Sequence, residues 1–168
     1  MIEEFRSIQN YPNHEVSNEG RVRNIKTGRM LTIFKNKSSG WYFVCLKRNG
    51  KPVTIPISRL VAEVFLDDPV EPRTSILHKD GNRANNHVDN LIWQSRWFVV
   101  MYMRDMMHPS VHIIKPFKTS RGQSFNTIAE FSAATLTLPS IIFNALYGSA
   151  EYHFAYFGTI SFSDKVLH

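Results

Sequence analysis

The chain has 168 residues, of which 43% are hydrophobic and 12% aromatic, so it holds ample core material and is not expected to be disordered. Cys45 is the lone cysteine, which excludes an internal disulfide; the acidic opening Met1–Glu4 and the shortness of the apolar run at 97–103 lead us to expect a cytoplasmic protein with no signal peptide and no membrane span. The net charge of +6 is uneven: residues 1–104 hold sixteen Lys/Arg against ten Asp/Glu while 105–168 hold four of each, so a polyanionic partner is expected for the first two thirds.

Three parts follow from the punctuation: 1–34, 35–108 and 109–168. In the first, Val16, Val22 and residues 30–34 predict short strands around turns at Asn18, Gly20 and Gly28. The second opens with a hairpin, 41–46 returning at 53–55, with Arg48-Asn49-Gly50 as its turn. A helix over 58–65 follows from Leu60, Val61, Val64 and Phe65, with Ser58 as N-cap after Pro56. Next come a strand at 76–78, a polar loop at 79–90, a strand at 91–93 and a helix over 96–106. The third part predicts a strand at 111–117, a turn at 120–122 and helices over 127–135 and 139–146. Thr137 is the expected N-cap and Gly148 the expected C-cap of the second of these helices, and a closing strand covers 154–162.

The loop His78-Lys79-Asp80-Gly81-Asn82-Arg83-Ala84-Asn85-Asn86-His87-Val88-Asp89-Asn90-Leu91-Ile92-Trp93 carries the chemistry. An amide accepts and donates at once, so Asn82, Asn86 and Asn90 suit the pinning of backbone groups that no strand satisfies. A rigid loop between two short strands, with a helix after it, can hold one imidazole against a phosphate.

In these residues the chain resembles the phage HNH homing endonucleases and their ββα-metal core, also called the His-Me finger. The stretch Asn10-Tyr11-Pro12-Asn13-His14-Glu15-Val16-Ser17-Asn18-Glu19-Gly20-Arg21-Val22-Arg23-Asn24-Ile25-Lys26 is similar to their small N-terminal DNA-contact module. Arg59-Leu60-Val61-Ala62 is similar to their His-Arg-Leu-Val-Ala helix, and the last part looks like their C-terminal helix-turn-helix repeat. The resemblance implies a modular α+β fold, double-stranded DNA as partner and the cytoplasm of an infected bacterium as setting.

It also implies His78 as general base beside a divalent cation, Mg or Mn, held by one residue just before the base and one in the following helix. Those positions are Leu77 and Val99, and Ser58 stands where the helix normally opens with His. Apolar side chains offer a hard cation no oxygen. Three readings result. The first is a DNA-binding protein with impaired cleavage, a vestigial His78 and no metal. The second is an active nickase in which Asp80 or Asp89 replaces a ligand. The third is a phage protein that modulates a host protein through its apolar C-terminal part. Arg21, Arg23, Lys26, Lys47, Arg48, Lys51, Arg59, Lys79 and Arg83 are the expected DNA contacts; Ile142, Phe143 and Tyr147 are the expected protein contacts.

Overall fold

The computed structural model describes residues 2–69, 74–148, 154 and 157–162. It divides into two compact units, Met1–His78 with Asn82–Arg96, and Lys79–Gly81 with Trp97–His168.

The first unit is built of small antiparallel sheets around one helix. Strands β1 (Phe5–Ile8), β2 (Tyr11–Ser17) and β3 (Val22–Asn24) form one sheet, ordered β1-β2-β3. A second, ordered β4-β5-β6, joins β4 (Phe34–Lys35), β5 (Tyr42–Arg48) and β6 (Lys51–Pro56). In β5 the buried Val44 and Leu46 alternate with the exposed Cys45 and Lys47, the period-two pattern of a strand with one face on a core. Val44 pairs with Ile55 and Leu46 with Val53, a register set by the turn Asn49-Gly50 with φ of 51° and 77°. Positive φ at both central residues gives a twist that matches the flanking strands, which is why Asn-Gly stands there.

Helix α1 (Ile57–Phe65) follows directly, and β7 (Thr74–His78) pairs with β8 (Leu91–Ser95). Ser58 is not the cap of α1. Pro56 holds that position at φ −62° without a side-chain hydrogen bond, and Ser58 lies buried inside the first turn. Ile57, Leu60 and Val61 share a core with Ile8, Tyr11, Val16, Val22, Val44, Leu46, Ile76 and Leu91. Complete burial of each aliphatic side chain stabilises the fold by about 1.5–3 kcal/mol. Residues 5–24 therefore pack into the same core as the β5–β6 hairpin and the β7–β8 pair.

The second unit contains α2 (Arg96–Met106), β9 (Phe117–Thr119), β10 (Ser124–Phe125), α3 (Ile128–Thr135), α4 (Pro139–Tyr147) and β11 (Ile160–Phe162). The strands form a sheet ordered β10-β9-β11. Its core is aromatic: the Phe131 ring sits 4.8–5.6 Å from those of Phe117, Phe125, Phe154 and Phe157, all in edge-to-face contact. Thr127 caps α3 by accepting from the Glu130 N–H at 3.0 Å. The strand expected over 111–117 is confined to β9. Val111 belongs to a 3-10 turn, Pro109–His112, and Pro116 has no N–H for a ladder. Leu138, not Thr137, precedes α4, because the Thr137 carbonyl is engaged by the Ser132 hydroxyl at 2.6 Å. Gly148 does close α4, through its N–H to the Asn144 carbonyl at 2.8 Å. Of the closing strand, Ile160–Phe162 pairs with β9 and Phe154 bridges to Gly158; residues 155 and 156 lie outside the described residues. Among the described residues no helix is long and apolar enough to cross a membrane.

Candidate functional site

His78 ends β7, opposite Leu91 of β8, and is 1% exposed. Its Nε2 lies 3.2 Å from the Asn86 side-chain oxygen. The Asn86 amide nitrogen donates to the Ala84 carbonyl at 3.2 Å, which fixes the amide so that its oxygen faces the imidazole. An amide oxygen only accepts, so Nε2 is the donor in this contact. Asn82 accepts from the Ala84 N–H at 3.0 Å, and Asn90 donates to the Asn85 carbonyl at 2.8 Å. All three loop asparagines thus bond to backbone groups within the loop.

The turn after β2 braces this loop from outside, a role that sequence reasoning missed by treating the N-terminal motif only as a DNA contact. The Asn18 carbonyl accepts from the Val88 N–H at 2.8 Å, and the Ser17 hydroxyl accepts from the Arg21 N–H at 3.0 Å. Gly20, at φ +86°, packs so closely that a Cβ there would stand 2.9 Å from the Asn86 Cβ and 3.0 Å from Ile57. Left-handed backbone and lack of space both demand glycine. The signal in the sequence was the Ser-Asn-x-Gly turn itself. Trp41, also missed, lies edge-on to His78 with ring centres 5.3 Å apart.

The expected DNA contacts divide into three groups. Arg21 is engaged by Glu3 and lies 3.5 Å from Glu19; Arg23 pairs with Glu15 at 2.8 Å, and Arg59 with Glu63 at 2.7 Å. Burial works to raise the Glu3 carboxyl, but the bonds from Arg21 and Ser17 and the positive charge of Arg21 hold it below its ordinary value. By contrast Lys26, Lys47, Arg48 and Lys51 are exposed and, among the described residues, have no carboxylate partner. Arg83 contacts Trp41 and the Ser39 carbonyl. Lys79 is half-buried, and its carbonyl accepts from the Tyr102 hydroxyl at 2.6 Å.

Leu77 is wholly buried and pairs with Ile92, while Val99 is buried within α2. Asp89 is exposed and its N–H donates to His87 Nδ1 at 3.2 Å. Asp80 acts electrostatically on Tyr102, whose phenol is pushed up by burial first and by that carboxylate second, against a bond to Ser132. In α4 the structure corrects one protein-contact candidate: Ile142 is 0% exposed, part of the aromatic core, and unavailable to a partner. Phe143 and Tyr147 remain at the surface, stacked with centroids 4.5 Å apart.

A histidine ending one strand of a short pair, an asparagine-braced loop within the pair and a helix next in the chain define the class: an HNH-type scaffold. In sequence and in fold the chain is similar to the HNH homing endonucleases. The NUMOD4 motif matches residues 3–47. The H-N-H endonuclease F-TflII of Escherichia phage T5 is 38% identical over 54% of this chain and 47% of its own length. The DNA endonuclease I-HmuI of Bacillus phage SP01 is 37% identical over 54% of this chain and 51% of its own. An uncharacterised HNH endonuclease of Acanthamoeba polyphaga mimivirus is 37% identical over 55% of this chain and 27% of its own. The chain thus spans about a quarter to a half of the length of these curated relatives. A solved structure described as DNA binding and cleavage by the HNH homing endonuclease I-HmuI aligns with a TM-score of 0.55 and 25% identity, over 95% of this chain and 97% of that one.

Proposed function

We propose that this chain is an HNH homing-endonuclease-like protein that binds double-stranded DNA and is impaired in metal-assisted cleavage. The observation that carries the reading is Leu77, wholly buried and apolar, immediately before a histidine whose loop is otherwise intact. The donor set does not fit a divalent cation. Val99 is equally devoid of oxygen, and among the described residues no three His, Cys, Asp or Glu side chains gather as a metal-holding group. Metal assistance supplies several kcal/mol of transition-state stabilisation, and at about 1.4 kcal/mol per tenfold its loss slows cleavage by roughly a thousandfold or more.

The charge supports DNA as the partner. Cations on tight turns reach phosphates and release condensed counterions, and Lys47, Arg48 and Lys51 flank the Asn49-Gly50 turn with no carboxylate partner among the described residues. What this chain's residues do is hold and orient. The asparagine loop holds the His78 ring through Asn86, and the exposed cations engage the backbone.

The expected result is retardation of duplex DNA in a gel, weakening steeply with salt, without nicking of supercoiled plasmid in magnesium or manganese. Metal-dependent nicking that disappears in His78→Ala would establish the active-nickase reading instead.

A further inference from the structure

Trp41 links His78 to Arg83. The Trp41 indole meets the imidazole at 5.3 Å with ring planes at 62°, and the imidazole is almost wholly removed from solvent. Arg83, from the asparagine loop, lays its guanidinium 5.3 Å from the centre of the same indole. Its Nη1 donates to the carbonyl of Ser39, two residues before Trp41, and its Nε is buried without a hydrogen-bond partner among the described residues. No carboxylate among those residues pairs with it. A guanidinium has five N–H donors, and here a ring face and one carbonyl are what hold it. Two parallel bonds to a phosphate, with charge on both sides, are stronger than either of these contacts to an uncharged group.

We infer that Arg83 and Trp41 form a phosphate-operated latch over His78. With no anion bound, Arg83 clamps the segment that carries Trp41 and the indole shields the imidazole. A phosphodiester draws the guanidinium away, the clamp on Ser39 and the indole is lost, and His78 becomes accessible. The inference rests on the DNA-binding reading for the source of the phosphate; the latch itself is tested without DNA.

Carbethoxylation of each histidine by diethyl pyrocarbonate, followed by peptide mass spectrometry, reads accessibility directly. In chloride buffer His78 should react far more slowly than the exposed His108. Inorganic phosphate at matched ionic strength should raise the His78 rate in the parent protein. Arg83→Ala should raise it by about tenfold in chloride, since cation–π and carbonyl contacts are both lost, and abolish the response to phosphate. Trp41→Ala should remove the protection altogether. A parent protein whose His78 rate ignores phosphate overturns the latch, as does a folded Arg83→Ala protein that keeps His78 protected. Should Trp41→Ala fail to fold by circular dichroism, those two measurements decide. Gel retardation of DNA is scored separately. DNA binding without a phosphate response removes the latch alone, and a phosphate response without DNA binding removes the DNA reading and keeps the latch.

Discussion

The two units solve the same problem, a small core, with different side chains. The first uses aliphatic residues contributed by seven strands and one helix, Val16, Val44, Leu46, Leu60 and Val61 among them, all essentially inaccessible. The second gathers phenylalanines around Phe131. Their surfaces differ as well. The first carries exposed cations, some answered by carboxylates and some not. The second exposes apolar groups, with Trp97 at 65%, Met107 at 74%, Ile113 at 62% and Ile114 at 76%. Charge that carboxylates do not cancel is available to a phosphate backbone, so under the proposed DNA-binding function the electrostatic contribution is expected from the first unit.

The largest effect expected concerns the aromatic core. Phe131→Ala removes the ring that four others contact and should cost about 3–5 kcal/mol, read by urea unfolding, with amide exchange rising in 97–148 more than in 5–66. Equal acceleration throughout would mean that the units unfold as one. Next, Gly20→Ala forces a side chain into left-handed backbone, about 1–2 kcal/mol, and into contact with Asn86, about 1–3 kcal/mol. The His78 ring resonances should shift in a proton NMR spectrum; an unchanged spectrum would show that the turn after β2 does not brace the loop. Third, removing Lys47, Arg48 and Lys51 together should lower the salt slope of DNA binding by about one per cation. Arg21→Ala, already neutralised by Glu3, should change it far less, and equal effects per residue would erase the distinction between paired and unpaired cations.

The smallest effect is alkaline. The Tyr102 phenol ionises above its ordinary value in the folded chain, so above about pH 10 the unfolded state loses its proton first. The native state then binds more protons, and stability falls as pH rises through that window. Tyr102→Phe should flatten this loss between pH 9 and 11 in urea midpoints, while losing the bond to the Lys79 carbonyl.

Much of the architecture was legible because its causes are local. Asn49-Gly50 announces a two-residue hairpin, Thr127 with Glu130 a capped helix, and the histidine–asparagine loop its family, each through dihedral preferences or hydrogen bonds reaching only a few residues. The misjudged strand over 111–117 shows the limit: its apolar residues read as a buried run, whereas Ile113 and Ile114 face solvent and Pro116 denies the ladder an N–H. Sequence likewise put nine cations in one group, because charge is visible in a sequence and its partner across a sheet is not. Arg23 meets Glu15 only because β2 and β3 pair in that register.

By itself, then, the sequence determined the strand and helix periodicities, the turn chemistry, the charge asymmetry and the apolar residues beside His78. Only the tertiary structure decided that Gly20 abuts Asn86, that Trp41 lies between Arg83 and the histidine, touching both, and that Ile142 is core. Those contacts join residues far apart in the chain, and their closeness comes from the packing of whole elements, which no short window of sequence contains.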